Sequence, residues 1–277
     1  MQRPRRRPHF SMLFANISEW GPQAREFVDS AASKGYDILS FVEHHMCMKQ
    51  LEIAAQWLRH RGWALIGSAA QQASVEHSGG AMIAVRSHLH CFPVAAAPRL
   101  WTGREKANPS HGFDWVCMEV RLRRASLVIF AVYLTHSIGA AGVNLQKLNQ
   151  LVQACGQLDG PILMVGDWNL EPHELASSGV FDALPASKRL SPLVPPAEFT
   201  CTSGQGRVID FAMVNQQARA ILSGIEIDKS CPWKTHAGIA MQISCTPAVV
   251  MVRALVRPAN VCKPNPRHCD QRQQCTW

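Results

Sequence analysis

In Val165-Gly166-Asp167-Trp168-Asn169-Leu170-Glu171-Pro172, an apolar run that begins at Ile162 ends in an acid, an indole and an amide. An extended backbone sends successive side chains to opposite faces, so Asp167 and Asn169 point one way and Trp168 the other. The run is a strand that delivers polar groups at its carboxyl end. The same arrangement recurs along the chain. Asn16 closes the run 11–15, Glu43 follows 37–42, and Tyr133 lies near the end of 126–134; Asp210 interrupts 208–214, and His236 precedes 238–244. A carboxylate inside an otherwise apolar strand loses hydration unless it is partnered, so Asp210 needs a donor, and His236 is the obvious one.

Further strands are expected over 63–67, 81–86 and 115–122, the last forming a hairpin with 126–134 around Arg123 and Arg124. Helices are expected over 22–33, opening on Pro22, over 48–60 before Gly62, and over 143–158. The third would place Leu145, Leu148, Leu151, Val152 and Cys155 on one stripe against a sheet. Residues 95–110 and 184–206 read as loops from their Pro, Ser and Gly content. Hairpins mixed with strand-helix-strand units imply mixed sheets covered by helices.

The chain has 277 residues, 47% hydrophobic and 17% charged, a globular composition in which no apolar run is long enough to span a bilayer. Its net charge of +8 is unevenly placed. Residues 1–10 hold four arginines and no acid, and residues 246–277 hold five bases and one acid. Removing them leaves 19 bases and 19 acids for 11–245, so the expected organisation is a basic arm (1–10), a neutral domain (11–245) and a basic tail (246–277). Such arms suit a polyanion, most often nucleic acid, or serve solubility or targeting. The opening residues lack the apolar core of a signal peptide, and the ten cysteines contain no CxxC, so free thiols in a reducing compartment are expected. Cys262, Cys269 and Cys275 with His268 fit no common zinc module.

Each polar residue has a structural reading when taken alone. Glu43 with His44 and His45 makes a polar loop, His236 a satisfied structural histidine, Tyr133 a core ring, and Asn16 a cap for the helix at Pro22.

As a set they resemble the metal-dependent endonuclease/exonuclease/phosphatase superfamily, which includes abasic-site endonucleases, type I deoxyribonucleases, inositol polyphosphate phosphatases and non-LTR retrotransposon endonuclease domains. The matching pieces occur in the family's order: Phe14-Ala15-Asn16, Phe41-Val42-Glu43, Gly79-Gly80-Ala81, Val132-Tyr133, Gly166-Asp167-Trp168-Asn169, Ile209-Asp210-Phe211 and Thr235-His236. The stretch 166–172 and Trp233 look closest to the retroelement branch. The resemblance implies a four-layered α/β sandwich, with two mixed sheets packed face to face and helices outside. It implies Mg²⁺, with Mn²⁺ as a substitute, held by Glu43 with Asn16 nearby. Asp167 would orient or deprotonate the attacking water, and Asn169 would fix that water or a phosphate oxygen. His236, oriented by Asp210, and Tyr133 would contact the phosphate.

Two departures remove negative charge from the implied site: Lys234-Thr235-His236 replaces the family's Ser-Asp-His, and Ser18 stands two residues after Asn16. The function expected is a Mg²⁺-dependent DNA endonuclease of retroelement or repair type, with DNA, or RNA, as partner, no membrane, and an intracellular, nuclear more than cytoplasmic, location. A phosphatase for inositol or other phosphate monoesters and a catalytically degenerate nucleic-acid-binding copy are the alternatives.

Overall fold

Apolar runs and helical stripes alternate in the chain, and the computed structural model, which describes residues 9–73, 76–94, 114–122 and 125–244, pairs them into two sheets. The amino-terminal half runs β1 (Phe10–Asn16), α1 (Pro22–Ala31), β2 (Ile38–Val42), α2 (Met48–Arg59), β3 (Trp63–Ser68), β4 (Gln71–Ala73), β5 (Glu76–Ser78), β6 (Ala81–Arg86) and β7 (Cys91–Pro93). Then follow β8 (Trp115–Arg121), β9 (Ser126–Tyr133), α3 (Gly142–Gly156), β10 (Ile162–Asp167) and α4 (Pro172–Ser177). Last come β11 (Ser191–Leu193), β12 (Asp210–Val214), α5 (Gln216–Ile221), β13 (Leu222–Asp228) and β14 (Gly238–Ile243).

One sheet has the order β13-β14-β1-β2-β6-β3 and the other β11-β12-β10-β9-β8-β7, while β4 and β5 form a small ribbon. Both large sheets are mixed: β1 and β2 are parallel, as are β9 and β10, and the remaining neighbours are antiparallel. Phe14, Ile83 and Met241 of one sheet pack against Ile129, Val165 and Val214 of the other. The opposite faces are covered by α1 and α2 through Phe27, Val28, Leu51 and Leu58, and by α3 through Leu148, Leu151 and Cys155. This is a four-layered α/β sandwich with helices outside.

Local chemistry sets the element ends. Pro22 stands in the first turn of α1, where its missing N–H costs nothing. The first turn of α2 is closed by Gln50 Oε1, which accepts from the Cys47 N–H at 2.9 Å. The parallel register sets Asn16 level with Val42 and Asp167 level with Tyr133, so β1, β2, β9 and β10 end along one rim. At the far end of β1, Phe10 faces Ile243, the last residue of β14.

Several expectations need correction. The strand expected over 208–214 begins at Asp210, and the 184–206 loop contains β11. The ribbon β4–β5, the strands β7 and β13 and the helices α4 and α5 were not foreseen. Leu145 is exposed, because Asn144 and Lys147 take buried positions on α3 and turn its inner face by one residue. Asn16 does not cap α1: Gly21 is the N-cap, and Asn16 Oδ1 instead accepts from the Ser18 N–H. Residues 1–8, the expected loop 95–110, the Arg123-Arg124 turn and the tail 246–277 with its cysteines lie outside the described residues.

Gly166 is the penultimate residue of β10, where an added Cβ would lie 2.7 Å from the Val132 carbonyl oxygen. Both strands are buried and hydrogen-bonded on either side, so neither can step back. Gly166→Ala is expected to destabilise the domain by about 1–3 kcal/mol through overpacking. A urea midpoint equal to that of the parent chain would refute this.

Candidate active site

The rim formed by the strand ends gathers the polar groups that the apolar runs delivered. Asn16 ends β1, Glu43 follows β2, Tyr133 and Asp167 end β9 and β10, Asp210 opens β12, and His236 precedes β14. They meet in one cluster. The Asn16 Nδ2 amide donates to Glu43 Oε2 at 2.6 Å and to Asp167 Oδ2 at 2.8 Å. Tyr133 donates its hydroxyl to Glu43 Oε1 at 2.9 Å. His236 Nδ1 lies 2.9 Å from Asp210 Oδ2 and 4.0 Å from Asp167 Oδ2. Its Nε2 faces Asn16 Nδ2 at 3.5 Å and Cys201 Sγ at 3.7 Å. Asn16, Asp167 and Asp210 are fully buried, and Glu43 keeps partial contact with solvent.

The backbone around the cluster is unusual. Ser18, Glu43, His45 and Asn169 all have φ between 50° and 59°, a left-handed conformation uncommon for residues with a side chain. For Asn169 this ends the extended alternation expected from sequence. Its N–H turns back to Asp167 Oδ1 at 3.0 Å, and its Nδ2 donates to the Leu134 carbonyl at 2.7 Å. Trp168 faces away, stacked on Phe211 and donating Nε1–H to the Phe211 carbonyl at 3.0 Å.

Glu43 is held from beneath by Gly79 and Gly80. The Gly80 carbonyl accepts the Glu43 N–H and the Gly79 carbonyl accepts that of His45. Both glycines have left-handed φ, and a Cβ on either would collide with Asp114 or with the His44 ring. Asp114 Oδ1 in turn accepts from the Gly80 N–H at 2.9 Å, and its Oδ2 meets Lys147 Nζ at 2.6 Å. Both partners are 4% exposed. Lys147 also reaches Thr135 Oγ1 at 3.1 Å and the Tyr133 carbonyl at 3.4 Å. Sequence reading missed Asp114, Asn144, Lys147 and Cys201. A lysine three positions beyond an asparagine inside an apolar stripe was a visible signal, but Asp114 lies too far away in sequence to be paired with it.

The electrostatics follow from burial. Burial, and then the charge of Asp210, raise the Asp167 pKa, against the opposing pull of His236 and the Asn16 hydrogen bond. Asp210 is also raised by burial, with His236 opposing. For His236 burial disfavours the cation, but the Asp210 hydrogen bond and the charges of Asp210 and Asp167 outweigh it and lift the pKa to about 10. Burial drives His44 down to about 4, so its ring is neutral and accepts the Met46 N–H at Nδ1. Burial pushes Asp114 up, with Lys147 and the Gly80 N–H opposing it.

Glu43, Asp167 and His236 offer ligand atoms that lie within 4.8 Å of one another. Three carboxyl groups gather around one imidazole, and Asp210 Oδ1 is buried without a hydrogen-bond partner. Carboxylate oxygens are the donors a hard divalent cation takes, and these residues fit one. Asn16 turns its amide nitrogen to both carboxylates while its oxygen is occupied by Ser18, an arrangement that spaces the two acids.

No family model matches the chain, and no curated protein matches it. Solved structures do. The endonuclease domain of TRAS1, a telomere-specific non-LTR retrotransposon, is similar with a TM-score of 0.64 at 17% identity, over 86% of this chain and 99% of that one. The AP endonuclease LMAP from Leishmania major gives 0.61 at 11% identity, over 88% and 89%. The 3′–5′ exonuclease NExo from Neisseria meningitidis gives 0.60 at 16%, over 85% and 100%. The chain has the endonuclease/exonuclease/phosphatase fold.

Proposed function

We propose that this chain is a Mg²⁺-dependent phosphodiester hydrolase that cuts DNA, of retroelement or repair type. One observation carries the reading: Asn16, Glu43, Tyr133, Asp167, Asp210 and His236, spread over 221 positions, converge on a single rim shared by two sheets. Glu43, with Asn16 nearby, would hold Mg²⁺, or Mn²⁺ in its place, and the ion would supply neutralisation of charge on the phosphate. The chain's own groups do the rest. His236 is held cationic by Asp210, so its Nε2–H is a charged donor for a phosphate oxygen. Tyr133, kept un-ionised by burial and by Glu43, offers a hydroxyl beside the same point. Asp167, raised above the ordinary carboxylate range, is the better base for the attacking water. Asn169 fixes that carboxylate through its N–H.

The nature of the similar proteins supports DNA as the substrate, since their descriptions name an endonuclease, an AP endonuclease and an exonuclease. Nine bases in the two terminal segments support a polyanionic partner. Purified chain with Mg²⁺ is expected to nick supercoiled plasmid, to stop on chelation, and to lose most activity in Glu43→Gln. Nicking that persists in chelator would refute metal dependence. Release of phosphate from inositol phosphates without DNA cutting would transfer the reading to a phosphatase.

A further inference from the structure

His45 carries a ring nitrogen with nothing to hold. The side chain is 38% exposed, yet Nε2 is sealed from solvent and has no hydrogen-bond partner among the described residues. It faces Glu43 Oε1 at 3.8 Å, about 1 Å beyond an ordinary N–H···O bond. The backbone puts it there. Glu43 and His45 both have left-handed φ, 59° and 56°, and the Gly80 and Gly79 carbonyls capture their N–H groups at 2.8 and 3.2 Å. His44, between them, is locked underneath, with Nδ1 accepting the Met46 N–H and Nε2 against the Ser68 carbonyl. A left-handed residue with a side chain persists only where its surroundings impose it, and the turn imposed here brings the side chains of 43 and 45 together. A buried donor left unpaired is costly, so its place calls for a state in which it is used.

Glu43 Oε1 already has a donor in the Tyr133 hydroxyl, at 2.9 Å. That hydroxyl carries one proton, so it cannot serve Glu43 and a phosphate oxygen at once. We propose that His45 is a positioning residue, the reserve donor that takes over Glu43 Oε1 when Tyr133 turns its hydroxyl to the phosphate. Closing the gap needs a shift of about 1 Å between the two side chains. Asn16 Nδ2 holds Oε2 at 2.6 Å, so with His45 in reserve the carboxylate keeps a donor on each oxygen. The Nε2–H bond stays intact, and no proton passes to Glu43. The departure of the Tyr133 hydroxyl rests on the hydrolase reading; the pairing of His45 with Glu43 does not.

The test compares His45→Leu with His45→Gln in the full chain. Neither replacement is β-branched, so both meet a similar backbone cost, and only Gln offers an N–H. Mn²⁺ affinity is read first, without DNA, from the paramagnetic resonance signal of the free ion. It is expected to be lost in Glu43→Gln and to change less than about twofold in His45→Leu, where Tyr133 still holds Oε1. Added to Tyr133→Phe, His45→Leu should weaken Mn²⁺ binding at least about tenfold, and His45→Gln should recover most of that loss. Equal affinity of Tyr133→Phe with and without His45→Leu overturns the proposal, as does an equal loss in both backgrounds. In the nicking assay, where phosphate takes the Tyr133 hydroxyl, His45→Leu alone is expected to raise the Mg²⁺ needed for half-maximal rate about tenfold, with KM for the plasmid unchanged. A change in KM alone would make His45 a DNA contact and overturn the role assigned. The Mn²⁺ pattern in a chain that cuts no DNA keeps the pairing and removes the nuclease reading; a parent chain that binds no Mn²⁺ removes both.

Discussion

His236→Ala is expected to lower Mg²⁺-dependent nicking by about 10²–10³-fold, the range for losing a charged donor that acts on the reacting phosphate. The effect is large because the ring is prepared at some cost. Burial penalises the imidazolium, and Asp210, itself fully buried, is committed to holding it at 2.9 Å. A folded pKa of about 10 lies above the ordinary value of 6.5. The pairing therefore stabilises the fold fully below about pH 6.5 and loses that contribution as pH rises through about 10. Activity should follow the same proton, with an alkaline limb near pH 10 rather than near neutrality. Asp210→Asn, which keeps the shape and removes the charge, is expected to pull that limb downward by at least about one unit. Wild-type-like turnover in His236→Ala, or an Asp210→Asn limb that stays in place, would remove His236 from the proposed chemistry.

The second large effect lies below the site. Lys147→Met leaves Asp114 buried and without its cation, and loss of one partner of a buried pair costs about 3–5 kcal/mol. At about 2–4 °C per kcal/mol for a domain of this size, the melting temperature should fall by about 10 °C. Asp114→Leu combined with Lys147→Met should recover part of the loss, since no charge is then stranded. Recovery is incomplete because the Gly80 and Gln71 donors lose their acceptor. A single variant melting within about 2 °C of the parent would show that the pair is dispensable.

The strands that place the site were legible because each is a short apolar run with a polar residue at or next to one end. β13 was not, because it is an edge strand whose residues are half-buried or exposed, and its alternation is confined to the four residues Ile225-Glu226-Ile227-Asp228 after Gly224. α4 and α5 span six residues each, too short for a helical stripe to repeat. On α3, Leu145 satisfied the apolar period and Lys147 broke it. The structure reverses their places because the lysine is compensated by Asp114 from another layer, a pairing invisible to local pattern. The outline of the candidate site was legible for the same reason as the sheets. Cys201 was not, since its meeting with His236 depends on a ladder between segments 35 positions apart. Gly79-Gly80 carried a signal that the structure explains as close approach to Asp114 and His44.

The register that sets Phe10 opposite Ile243 has a further outcome for the two arginine-bearing extensions. Both are joined to the body at one place, at the opposite end of β1 from Asn16, about 20 Å away at roughly 3.3 Å per residue. On the proposed reading, charge anchored there would act as a leash: it would raise the local concentration of a polyanion around the whole body without choosing which bond is cut. Shortening either extension should therefore weaken capture of long duplexes in a salt-dependent way and leave the cleavage pattern on a short duplex unchanged.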